Sequence, residues 1–145
     1  RSLSINANAN RAWLASAFIR CFLGDPASAI ENAERAMRLS PLDVSMWVAH
    51  GVLAVAHMQL KDYKEAASWA RKAVRHYRNN LPAHHVLVAS LAQTARQEEA
   101  EAALEELLDL DPGLTIGGLK KRYPISGYRN LDGFLEGLRK AGLKA

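Results

Sequence analysis

The sequence lacks most of the features that mark secreted or membrane-spanning proteins. It contains a single cysteine, Cys21, which excludes an internal disulfide and is typical of a reducing, cytoplasmic compartment. Its longest apolar stretch, Val52–Ala56, is far shorter than the roughly 18 residues that cross a bilayer, so we predict no membrane segment. The chain opens without a methionine or a secretory leader, and we therefore expect that it is part of a longer protein.

The sequence also lacks a recognisable catalytic or metal-binding motif. His50 and His57 are seven residues apart, which on a helix separates them by about 10 Å along the axis. The segment Gly117–Lys121 resembles a phosphate-binding loop but does not have the required spacing. Cys21 has no cationic neighbour beyond Arg20, so we expect an inert, packed thiol. We therefore predict no catalytic residue, no cofactor and no metal.

The 145 residues are 49% apolar and 23% charged, with a net charge of +4. This charge is unevenly distributed: residues 1–112 carry 12 basic and 13 acidic side chains, whereas residues 113–145 carry 7 and 2. The basic end is short and has no RNA-binding motif, so we predict that the chain does not bind nucleic acid. We expect instead that the acidic segment 98–111 lies between basic neighbours in 71–78 and 120–122.

A repeated pattern of small residues fills the rest of the chain. Three alanines recur after 37 residues, and one of them recurs again after 34, as Ala29, Ala33 and Ala36, then Ala66, Ala70 and Ala73, then Ala100. Alternating β-type stretches are absent, which favours an all-α fold. Asp25 before Pro26 indicates a helix start, and Asp62 with Glu65 predicts a capping box. Each unit therefore reads as a pair of helices.

This spacing, together with Trp13, Gly24, Ala29, Ala36 and Pro41, resembles the tetratricopeptide repeat. The resemblance implies a right-handed superhelix of helix hairpins, an α-solenoid. It divides the chain into the end of a preceding repeat (1–9), three repeats (10–43, 44–80 and 81–114) and a basic capping segment (115–145). The second repeat is three residues longer than the others, and we place the extra turn in its first helix.

In this family, the first helix of each repeat lines a concave groove. Carried onto this sequence, the groove positions give an apolar set of candidate contacts: Leu14, Phe18, Cys21, Val48, Val52, Val55, His85 and Ala89. The lysine and asparagine clamp of the chaperone-binding members is absent, which argues against a chaperone adaptor. We predict an amphipathic helix, or an upstream domain of the same protein, as the partner. Alternatively, the chain covers these residues itself.

The C-terminal end offers such a cover. Leu131, Phe134, Leu135 and Leu138 are spaced as one face of a helix. A repeat array needs a terminal helix to cover its last apolar face. We therefore predict that a helix over Asn130–Ala141 caps the array or folds back onto it.

Three strings suggest a narrower resemblance: the segments 21–26 and 34–43, the run at 108–114 and the ending at 134–143. Together they are similar to the C-terminal repeat region of bacterial multidomain class III adenylate/guanylate cyclases. This resemblance implies a non-catalytic regulatory module in cyclic nucleotide signalling, attached to a catalytic domain that is not in this sequence. The alternative is a stand-alone adaptor or the tail of a transcription regulator. The oligomeric state stays open.

Overall fold

The computed structural model describes residues 12–17, 19–21, 23–39, 46–122 and 129–145, and no strand occurs among them. Residues 12–17 and 19–21 are helical and are together called α1. Seven further helices follow: α2 (Pro26–Leu39), α3 (Met46–Gln59), α4 (Tyr63–His76), α5 (Leu81–Gln93), α6 (Gln97–Leu110), α7 (Ile116–Arg122) and α8 (Leu131–Ala141). The all-α prediction is confirmed.

The first six helices form three consecutive hairpins. In the first, the amide of Asn32 on α2 donates a 2.9 Å hydrogen bond to the hydroxyl of Ser16 on α1. Helix α3 packs against α2, α4 and α5, and α5 packs in turn against α4 and α6. Each hairpin turns through one left-handed residue, at Gly24, Lys61 and Ala95, with φ between 61° and 79°. Contacts between successive hairpins are those of a helical solenoid.

The recurring alanines explain why the hairpins stack closely. All six alanines of α2 and α4 that repeat after 37 residues are fully buried. A methyl group is the only side chain there, so the helix axes can approach without leaving a void. The sequence pattern therefore marked the interface between helices.

Two predicted helix starts have different outcomes. Asp25 caps α2, because the backbone N–H of Ser28 donates to its carboxylate at 3.3 Å. Asp62 precedes α4 but makes no capping hydrogen bond, so the predicted capping box is wrong. The Asp62 carboxylate is instead 3.4 Å from Nδ1 of His57, on the preceding helix.

The repeat boundaries at 10 and 44, and the segment 1–9, fall outside the described residues and stay predictions. Within the described residues, α3 has 14 residues, the same number as α2, α4 and α6. The described helix thus shows no additional turn relative to the other hairpin helices.

The C-terminal segment contains the predicted helix and one that was not predicted. Helix α8 lies where the pattern placed it, and Phe134 and Leu138 are fully buried. The short α7 contains Gly117 and Gly118, which weaken a helical pattern in the sequence. It is held by tertiary contacts: Leu119 is fully buried, and the N–H of Ile116 donates to the carbonyl of Lys144 at 2.8 Å.

The apolar interior is divided unequally along the chain. One large cluster joins α3, α4, α5, α6, α7 and α8, whereas two small clusters hold α1 and α2 against α3. Within the described ranges, no helix is both long and apolar enough to span a membrane.

Candidate functional site

The structure buries most of the residues predicted to line the groove. Five of the eight are less than a tenth exposed: Leu14, Cys21, Val52, His85 and Ala89. Val48 and Val55 on α3 are partly exposed, and Phe18 lies outside the described residues. Only the α3 pair therefore offers accessible apolar surface, and its role in binding stays a prediction.

Helix α8 covers the groove positions of the third hairpin. A Cβ atom added to Gly137 would lie 2.5 Å from the carbonyl oxygen of Ala89 and 2.9 Å from its Cα. No side chain fits at that distance, so the two helices meet backbone to backbone. The alternative that the chain covers its own groove holds at Ala89.

Polar contacts fix both ends of α8. The side-chain amide of Asn130 donates to the carbonyl of Met58 at 2.8 Å and to the hydroxyl of Tyr63 at 3.0 Å. Further along, Gln93 donates to the carbonyl of Gly133 at 2.8 Å. Gln97 at the start of α6 donates to the carbonyl of Lys140 at 2.9 Å. Helix α8 thus passes from the α3–α4 turn over α5 towards α6.

The corresponding face of α3 is not covered in this way. Val55 precedes Ala89 by 34 residues, which is the repeat length, so the two residues occupy equivalent positions. Val48, Gly51 and Val55 form one partly exposed stripe on α3. A Cβ at Gly51 would meet nothing closer than 3.8 Å, so there is space above this stripe. We call Val48, Gly51 and Val55 the α3 stripe.

The buried residues of α1 have a packing role. The Cys21 sulfur lies 3.8 Å from the carbonyl of Val52, and the Cys21 carbonyl accepts a 3.0 Å hydrogen bond from Gln59. Burial raises the pKa of the Cys21 thiol to about 12, so the thiol stays protonated at neutral pH. This agrees with the expected inert thiol.

A second concave feature, which the sequence analysis missed, lies between α2 and α4. It has a volume of about 410 Å³ and is lined by Glu34, Met37, Arg38 and Trp69. The ammonium of Lys72 lies 4.4 Å from the centre of the Trp69 ring. We call this feature the Trp69 groove. It combines an aromatic wall with cations, but its residues come from two helices and share no sequence motif.

His50 lies behind the Trp69 wall. Its ring centre is 5.5 Å from that of Trp69 and 5.2 Å from that of His76. Burial, followed by the nearby charges of His76 and Lys72, lowers the pKa of His50. Its Nδ1 atom is buried and has no hydrogen-bond partner among the described residues. In that same part of the chain, no three His, Cys, Asp or Glu side chains are placed to hold a metal ion.

The acidic helix α6 shows one of the predicted ion pairs. Glu99 lies 4.0 Å from Arg71 of α4, at the limit of an ion pair, and 3.6 Å from Arg96. Lys120 and Lys121 of α7 are exposed, and the ion pairs found in the described ranges do not join them to α6. Most of the α6 carboxylates therefore face solvent.

Comparison with known proteins agrees with the fold. Two tetratricopeptide-repeat family models match residues 47–80 and 81–114. The second match has the predicted boundaries, whereas the first begins three residues after the predicted start at 44. No curated protein sequence matches the chain.

Three solved structures are similar in fold. A mutant of O-GlcNAc transferase from Thermobaculum terrenum has a TM-score of 0.66 at 23% identity, over 74% of this chain and 20% of that one. This chain therefore spans only a fifth of that enzyme. The first tetratricopeptide domain of Spaghetti (RPAP3), bound to the HSP90 peptide SRMEEVD, has a TM-score of 0.65 at 22% identity, over 79% and 91%.

The third is the C-terminal tetratricopeptide-containing domain of an FK506-binding protein from Plasmodium falciparum. Its TM-score is 0.68 at 18% identity, and the similarity covers 94% of this chain and 92% of that one. At these identities the similarities establish the fold alone. With the family matches, they show that this chain contains tandem tetratricopeptide repeats and is built as a protein–protein interaction module.

Proposed function

We propose that this non-catalytic module binds an amphipathic helix of a partner protein along the α3 stripe. The observation that carries the proposal is the docking of α8. This amphipathic helix lies on Ala89, while the equivalent Val55 is partly exposed one repeat earlier. A helix with a small residue facing Val55 would extend the surface that α8 already forms.

The chemistry of the stripe separates this partner from the peptide bound by one structural neighbour. The HSP90 peptide SRMEEVD bound to Spaghetti is acidic and ends in a carboxylate. The α3 stripe consists of two valines and a glycine and offers no cation. An acidic C-terminus would lose its hydration there without gaining an ion pair, whereas an apolar helix face would not.

The finer proposal is that the module regulates an attached bacterial class III adenylate/guanylate cyclase domain in the cytoplasm. Its support is the resemblance of segments 21–26, 34–43, 108–114 and 134–143 to the C-terminal region of those enzymes. The partner helix would then belong to the upstream domain or to a protein that controls it. The second candidate, a stand-alone adaptor or the tail of a transcription regulator, requires no cyclase. The coding sequence upstream of Arg1 separates the two.

A photo-crosslinking experiment tests the α3 stripe. Benzoylphenylalanine replaces Val55 in the full protein, and the same group at exposed Lys120 on α7 is the control. We expect a crosslink to a helical segment from position 55 and none from position 120. Val55→Asp should abolish regulation or partner binding while leaving the circular dichroism spectrum unchanged. Equal crosslinking from both positions, or an unaffected Val55→Asp protein, would show that the stripe is not the binding surface.

A further inference from the structure

The second helices of the hairpins carry opposite charges at the two ends of the array. The Trp69 groove lies between α2 and α4 and is flanked by Arg38 and Lys72, whereas the acidic residues lie on α6. In a solenoid of helix hairpins, all second helices lie on the same side. The groove and the acidic helix are therefore two parts of one outer surface.

The Trp69 groove is suited to an acidic helix with a narrow apolar edge. Trp69 and Met37 supply apolar wall, and Arg38 is exposed at the rim. Lys72 stacks over the indole ring with its ammonium 4.4 Å from the ring centre, which holds a positive charge at the groove. Glu34 is the one acidic residue in the lining.

Helix α6 presents a matching surface. Glu98, Glu101, Glu105 and Asp109 are all exposed, and their spacing of three and four residues places them along one face of the helix. Exposed Ala102 lies beside them and supplies a small apolar edge. In the described part of the chain, the ion pairs of α6 involve Glu99, which is not in this set. We call Glu98, Glu101, Glu105 and Asp109 the α6 stripe.

These two surfaces cannot meet within one chain. Helix α6 packs against α5, and α2 packs against α3, so two further helices separate the α6 stripe from the far wall of the groove. The complementary charge must come from another molecule. We propose that two copies of this chain associate, with the α6 stripe of each lying in the Trp69 groove of the other.

The reciprocal arrangement follows from the position of the surfaces. Because both lie on one side of the array, two antiparallel copies form the contact twice about a two-fold axis, which closes the assembly as a dimer. Exposed ion pairs contribute little individually and are screened by salt. The dimer is therefore weak and salt-sensitive. It does not use the α3 stripe.

Sedimentation equilibrium of the intact chain tests the proposal, at low salt and at about 500 mM salt, where screening is nearly complete. We expect a concentration-dependent dimer at low salt that dissociates at high salt. Arg38→Glu with Lys72→Glu should weaken dimerisation at least about tenfold, and Glu101→Lys with Glu105→Lys should do the same. The combined four-residue variant exchanges the charges of the two surfaces and should recover the dimer.

Lys120→Glu with Lys121→Glu is the matched control, because it changes the net charge equally at exposed positions of α7. It should dimerise as the unchanged chain does, and so should Val55→Asp, so that failure here is distinguishable from failure of the proposed helix-binding function. Circular dichroism verifies folding, and single neutral variants, Lys72→Gln and Glu105→Gln, replace any pair that does not fold. A chain that stays monomeric at low salt, or a dimer that ignores the groove variants, would overturn the proposal.

Discussion

The two halves of the array differ in how completely they bury their apolar residues. In the C-terminal half, α5 is buried from Ala83 to Ala92 because α4, α6 and α8 surround it. In the N-terminal half, Ile19 is 56% exposed and Leu23 is 71% exposed. The hairpins themselves are alike, so the difference comes from α8. A repeat does not complete its own core, and whatever covers it decides which face stays available for binding.

The strongest test of this contrast is removal of the largest buried side chain of α8. Phe134 is fully buried in the C-terminal cluster. We expect Phe134→Ala to lower the free energy of unfolding by about 3–5 kcal/mol, measured by urea denaturation. Hydrogen exchange should show the loss of protection in α5 and α8 before α2 and α3. Equal loss in both halves would mean that the array unfolds as one unit.

Replacing Asn130 should have the next largest effect. Asn130 has φ of 60° and donates to Met58 and Tyr63, so Asn130→Ala loses both hydrogen bonds and adds strain. We expect a loss of about 2 kcal/mol in the free energy of unfolding. Asn130→Gly keeps the backbone conformation and should lose about half as much. Equal losses would exclude a contribution from the left-handed backbone.

A methyl group at Gly137 tests the close approach of α8 to α5. The added Cβ would meet the Ala89 backbone, and the expected cost is about 1–2 kcal/mol after the gain in helix propensity. Gly117→Ala is the control, because nothing lies within 4 Å of the added atom. It should be neutral or slightly stabilising by urea denaturation. A neutral Gly137→Ala would show that α8 is not tightly docked.

His50 gives a pH-dependent test of the N-terminal half. Because burial lowers its pKa below the usual 6.5 in the folded state, the unfolded chain binds the proton more readily. Stability is then highest above about pH 6.5 and decreases as the pH falls below it. His50→Phe keeps a ring against Trp69 and should flatten this dependence, measured by thermal melts from pH 7.5 to 5. An unchanged slope would assign the dependence to other groups.

The smallest effect is expected at the open end of the array. Leu23 is largely exposed, so Leu23→Ser should change the free energy of unfolding by no more than about 0.5 kcal/mol. The same substitution at fully buried Leu138 should cost several times more. Similar losses at the two positions would mean that Leu23 is also covered, and that the halves are less different than described.

Local pattern predicted the hairpins and α8 because the information is carried by neighbours in sequence. Alanines at helical spacing and the apolar face of Phe134 and Leu138 specify a helix and its buried side without knowledge of other helices. Helix α7 was missed because its glycines oppose a helix locally. Tertiary contacts of Leu119 and the carbonyl of Lys144 override them.

The candidate surfaces were less predictable because accessibility depends on distant parts of the chain. Ala89 occupies a groove position by repeat spacing, yet Gly137, 48 residues later, covers it. The Trp69 groove needs α2 and α4 side by side, and no spacing within either helix signals it. Repeat position therefore identifies which residues could face a partner, and packing decides which of them do.

The small residues of α8 have one more consequence. Gly133, Gly137 and Ala141 are four residues apart, so sliding the helix by one turn would again place a small residue against Ala89. Shape alone thus permits several alignments of nearly equal fit. The polar contacts of Asn130 and of the Gly133 carbonyl are satisfied in only one of them, so these few hydrogen bonds select a unique docking and the apolar contacts supply its strength.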